Sequence, residues 1–101
     1  MVNLNDMAKQ AHMLAKQRGL ETDVFSCLKH CAGEVTEAVE ANSKVWDDIR
    51  TYGYLKHLEE ELADVIICVL TASADMQIDI EKAISESMQK NAGRAYGTAE
   101  A

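Results

Sequence analysis

Four carboxylates stand out by their spacing. Glu34 and Glu37 lie three apart, and so do Glu61 and Asp64. Residues at i and i+3 project from neighbouring positions on one helical face. At about 100° per residue, Glu34 and Glu61 fall at the edge of the apolar stripes of their segments, and Glu37 and Asp64 one step further round. The two pairs are thus placed alike relative to the surfaces that must pack. If their segments pack antiparallel, all four carboxylates converge at the margin of the core. Such groups repel and raise one another's pKa. A hard cation between them relieves the repulsion. Mg²⁺ takes oxygen ligands and keeps part of its water shell for phosphate oxygens. It can polarise a phosphoryl group, activate a water and stabilise a leaving phosphate. An isolated E-x-x-E or E-x-x-D is more often a solvated face, so spacing alone supports a cation site and no particular reaction.

The elements that must position these residues are helical. Leu4, Met7, Ala8, Ala11 and Leu14 or Ala15 repeat at helical period over about 4–17, and Arg18-Gly19 is a plausible stop. A second segment runs from Val24 to about Ala41, with Asp23 as N-cap and Val24, Cys27, Leu28, Cys31, Val35, Ala38 and Val39 as one stripe. The stretch NSKVWDDIRTYGY breaks the pattern and reads as a loop with at most a short turn of helix. The third segment runs from about Tyr54 to Met76. Its main stripe is Leu55, Leu58, Leu62, Val65, Ile66, Val69, Ala72 and Met76, with Ile67 and Leu70 off it. A helix apolar on more than one side belongs at the centre of a fold or at a subunit interface. Asp79 caps a fourth segment carrying Ile80, Ala83, Ile84 and Met88. The tail from about Gly93 is small and polar and is expected to be less ordered. The β-branched run VIICV tempts a strand assignment, but helical periodicity continues on both sides of it. The expectation is one all-α domain over 1–101 with a four-helix core. So short a chain has a modest core, and self-association is a natural way to complete it.

Composition narrows the classes. The 101 residues are 48% hydrophobic and 27% charged, as in an ordinary folded protein. Seventeen acidic and 10 basic residues give a net charge of -7, and no window offers the basic patch that a nucleic-acid polymer needs. Phosphate substrates stay open, because bound divalent ions reverse the local field. The most apolar run, VIICVL at 65–70, is far too short to span a bilayer. Three cysteines, Cys27, Cys31 and Cys68, with no basic and apolar leader at the start, point to a reducing, cytoplasmic setting.

In order along the chain, GEVTEAVEA at 33–41, EELADVIICVL at 60–70, IDIEKAI at 78–84 and NAGRAY at 91–96 resemble the MazG-like all-alpha nucleotide pyrophosphohydrolases. The family signature is E-x-x-E followed by E-x-x-D, matched here by Glu34, Glu37, Glu61 and Asp64. The resemblance covers about 28–96. It implies a four-helix core assembled as a dimer, or a tetramer of two dimers. It also implies Mg²⁺, or else Mn²⁺, held by the four carboxylates. The substrate implied is a nucleoside triphosphate, often deoxy or non-canonical, cut between the α and β phosphates to a monophosphate and pyrophosphate. The family is associated with cleansing nucleotide pools. The late motif, similar to K-M-x-x-N-x-x-R, reads S-M-Q-K-N-A-G-R, so Asn91 and Arg94 would be substrate contacts. Ser87 stands where the lysine is usual, and Lys90 or Lys82 would compensate. Many relatives carry further acids just before the first motif, where this chain has His30, Cys31, Ala32 and Gly33. Glu37, if loosely metal-bound, and Glu34 are the candidate general bases.

Other residues admit two readings. Trp46 could stack on a base or plug the end of a small core. Lys44, Arg50, Tyr52 and Tyr54 lie near it. Cys27, His30, Cys31 and His57 raise a zinc question, but both cysteines fall on the apolar stripe, where cysteine is common. Asn91 could simply end its helix, and Arg94 could pair with a carboxylate. The alternatives to an enzyme are a nucleotide- or metal-binding helical module with weakened catalysis and an acidic helical interaction protein.

Overall fold

A computed structural model describes residues 3–47 and 52–93, with side chains for 3–43 and 55–93. It contains four helices, α1 (Leu4–Gln17), α2 (Val24–Asp47), α3 (Tyr52–Asp75) and α4 (Ile80–Ala92), and no strand among the described residues. No described helix is long and apolar enough to cross a membrane. The ends follow local chemistry. The Asn3 side chain accepts from the Asp6 N–H at 2.8 Å and opens α1. Gly19, at φ 75°, closes it, with the Leu20 N–H bonded to the Ala15 carbonyl at 3.0 Å. The Asp23 carboxylate takes the Ser26 N–H at 3.0 Å and starts α2. α3 ends in the same way as α1, but with Gln77 at φ 55° where glycine is usual.

The expected long loop is mostly helix. α2 continues through Asp47 and α3 begins at Tyr52, so Lys44 and Trp46 have helical backbone. The run NSKVWDD holds no proline or glycine, and its apolar irregularity breaks amphipathicity without breaking the backbone. The side chains of Lys44, Trp46, Tyr52 and Tyr54 lie outside those described, as does Arg50.

α2 and α3 form the main pair, and α1 packs on α3. Buried or half-buried side chains recur at 27, 31, 34, 38 and 41 on α2 and at 58, 61, 65, 68 and 72 on α3. Alternating steps of three and four make a knobs-into-holes seam. Cys31 Sγ lies 3.9 Å from the Val65 carbonyl, and Glu34 meets Glu61 a turn further on, so α2 and α3 run antiparallel. The seam is built largely from Ala and Cys, which lets the backbones approach closely.

This corrects the expected core. Leu28, Val35 and Val39 on α2 and Leu55, Leu62, Ile66, Val69 and Met76 on α3 are exposed, while Leu70, read as off-stripe, is buried. The large apolar residues lie about a quarter-turn from the α3 seam and form a second face. Among the described residues, α1 and α2 pack on α3 and leave this face open.

Polar links hold the rest. Asp75 Oδ1 receives both the Thr22 hydroxyl and His12 Nε2 at 3.0 Å, joining α1, the turn before α2 and the end of α3. The two hydrogen bonds hold the Asp75 carboxyl below the usual carboxylate range. α1 and α4 cap each other: Glu81 accepts from the Leu4 N–H at 2.8 Å, and Asn5 Oδ1 accepts from the Ile80 N–H at 3.0 Å. No α4 residue is buried, and Met88 is 66% exposed.

Candidate metal centre

Glu34 and Glu61 are seam residues, which explains their setting. Their side chains are only 14% and 12% exposed, at positions where the heptad step would otherwise place apolar groups. Each has an Oε2 that is buried and without a hydrogen-bond partner. A buried charge normally needs a partner or a metal. Asp64, on the exposed flank of α3, completes a group of three whose ligand oxygens all lie within 4.8 Å of one another. Oxygens on opposite sides of one Mg²⁺ sit about 4.2 Å apart, so the group is close to the size of a cation cage.

Electrostatics agree with the geometry. Burial, then Glu37 and Asp64, push the Glu34 carboxyl above its ordinary range, while His30 pulls it down. Burial, then the close approach and repulsion of Glu37, do the same to Glu61, opposed by His57. Glu37 therefore sits against both glutamates but stands outside the group of three, on the exposed side of α2. The buried donor set is all oxygen, with unsatisfied acceptor capacity, and so suits a hard divalent cation.

Behind the glutamates the seam is thiol-lined. The Cys68 thiol is pushed up to about 11, chiefly by burial. Cys27 donates to the Thr22 carbonyl at 3.4 Å, and its thiol is likewise raised by burial. Both therefore behave as small core residues, Cys27 in keeping with its place on the α2 stripe.

Beside the carboxylates opens a groove of about 820 Å³ between α1, α2 and α3. Glu34 and Asp64 line one part of it, and Met7, Leu14, Ile67 and Cys68 give it apolar walls, with Gln10 as a polar group. That volume falls in the range of small-molecule sites. The α1 residues were not legible as site residues, because nothing in their spacing differs from an ordinary amphipathic helix. Lys90 and Asn91 lie exposed in the last turn of α4, and neither side chain has a hydrogen bond or ion pair among the described residues. Arg94 lies outside the described residues.

The model of the MazG nucleotide pyrophosphohydrolase domain matches residues 22–96. The chain belongs to that family. No curated protein and no solved structure matches it. The MazG match takes in α2, α3 and α4 and leaves the whole of α1 outside. Both acidic pairs fall within it, as do His30, His57, Lys90, Asn91 and Arg94.

Proposed function

We propose that this MazG-family chain hydrolyses a nucleoside triphosphate between the α and β phosphates, releasing a monophosphate and pyrophosphate. The observation that carries the reading is the pair of buried, unpartnered oxygens on Glu34 and Glu61 beside Asp64. Glu34, Glu37, Glu61 and Asp64 would together hold Mg²⁺ or Mn²⁺. Such an ion supplies Lewis acidity toward phosphoryl oxygens and lowers the pKa of bound water. Glu37, exposed and outside the group of three, would be the carboxylate that accepts a proton from the attacking water. Asn91 and Arg94, with Lys90 in place of the lysine replaced by Ser87, would meet the remaining phosphate charge. The nucleoside fits the groove against Met7, Gln10 and Leu14, and Trp46 is a candidate to stack on the base. The substrate is a deoxy or non-canonical nucleotide, in keeping with nucleotide-pool cleansing in the cytoplasm. Three free cysteines suit a reducing compartment.

The working unit is a dimer or a tetramer of two dimers. Its support is the open apolar face of α2 and α3 and the uncovered Ile84 and Met88 of α4, far more than scattered surface hydrophobes. No membrane or nucleic-acid polymer enters this reading, given the charge of -7.

A panel of (d)NTPs incubated with the pure protein and Mg²⁺, with pyrophosphate as readout, tests the activity. Turnover above a Glu61→Gln control is expected. No turnover with any nucleotide would overturn catalysis. Nucleotide binding without product would favour a second reading, motivated by Ser87, in which the site binds but turns over weakly.

A further inference from the structure

Each buried glutamate has a histidine one turn before it on its own helix. His30 Nε2 lies 3.2 Å from Glu34 Oε1, and His57 Nε2 lies 3.6 Å from Glu61 Oε1. The second distance is beyond a hydrogen bond. Both are near the spacing of two adjacent ligands on one ion, about 3.0–3.3 Å for bonds of roughly 2.0–2.1 Å. Residues at i and i+4 on one helix face are a common way to present two ligands to a single metal. Because α2 and α3 run antiparallel, His30 and His57 flank the Glu34–Glu61 contact from opposite ends. Neither ring nitrogen belongs to the group of three as placed, and both rings are exposed, so each has room to turn toward it. The second oxygen of each glutamate is buried and unpartnered, which independently calls for a cation.

We propose that His30 and His57 are nitrogen ligands at the two ends of the carboxylate cluster. The site then prefers imidazole-accepting divalent ions of the Mn²⁺ and Co²⁺ class over Mg²⁺. Imidazole suits transition ions, whereas Mg²⁺ holds to oxygen. The inference rests on the carboxylate reading above and adds two donors to it.

The test uses the full chain stripped of metal. Pulsed electron paramagnetic resonance of the Mn²⁺-loaded protein should show nitrogen coupling, which needs no variant. Affinities for Mn²⁺, and for Mg²⁺ by competition, are then compared between wild type and His30→Gln/His57→Gln. Mn²⁺ affinity should fall about tenfold or more, the scale of lost metal-site support, while Mg²⁺ affinity stays within about twofold. Nitrogen coupling should vanish in the variant. Mn²⁺ bound without nitrogen coupling, or equal losses for both ions, overturns the histidine ligation and leaves the carboxylate site standing. Failure of the wild type to bind either ion overturns both.

Discussion

Ile66 tests whether the open face of α3 is an interface. It is 55% exposed and shares one side of the helix with Leu55, Leu62, Val69 and Met76. Truncation to alanine removes three carbons, worth about 2.4 kcal/mol if fully buried at about 0.8 each. About half of the side chain is already covered within the chain, so the share that a second copy would cover is about 1.2 kcal/mol. In a two-fold dimer the loss occurs twice, giving about 2.4 kcal/mol and a roughly 60-fold weaker association. Sedimentation equilibrium over a dilution series reads this directly. Met13→Ala, an apolar truncation at an exposed α1 position, should leave association within a few-fold. A monomeric wild type at micromolar concentration, or an Ile66→Ala dimer of unchanged strength, would refute the interface.

Further outcomes follow from the site and its supports. Saturating Mn²⁺ or Mg²⁺ at about 100 times its dissociation constant should stabilise the wild type by about 2.7 kcal/mol, raising its melting temperature by roughly 10–20 °C. Glu61→Gln should melt higher than wild type without metal, because one repelling charge is gone, and should lose most of the metal response. Gly33 is inside α2, and a Cβ there meets nothing within 4 Å. Gly33→Ala should therefore stabilise by about 1 kcal/mol, read by urea denaturation; no gain would show that another group covers this backbone. Asp75 is held low by His12 and Thr22, so its contribution is complete above its unfolded pKa and is lost as pH falls through the lower folded one. Asp75→Asn should be less stable near neutrality and show a shallower loss of stability with acid below about pH 4; parallel acid titrations would count against the link.

Much of the scaffold was legible because it is local. The end of α1 was legible at Arg18-Gly19 and the starts of α2 and α4 at Asp23 and Asp79, since caps act within one turn. The acidic pairs, their matched offsets and their family were also readable along the chain. The long loop was misjudged because loss of amphipathicity at 42–47 resembles loss of helix. The α3 stripe was misassigned because a helix apolar on two sides does not say which side its own chain covers.

The sequence by itself determined four helices, two E/D pairs set three residues apart and membership of the MazG family. These depend on i to i+4 neighbours and on motif order. Only the tertiary structure decided that Glu34 and Glu61 lie inside the α2–α3 seam and that Asp64 joins them within 4.8 Å while Glu37 stands just outside. It alone opened the groove against α1 and set a histidine beside each buried glutamate. Those features depend on which residues face each other across two antiparallel helices. That register is set by the close approach of alanine and cysteine side chains from both helices, and spacing along either one does not contain it.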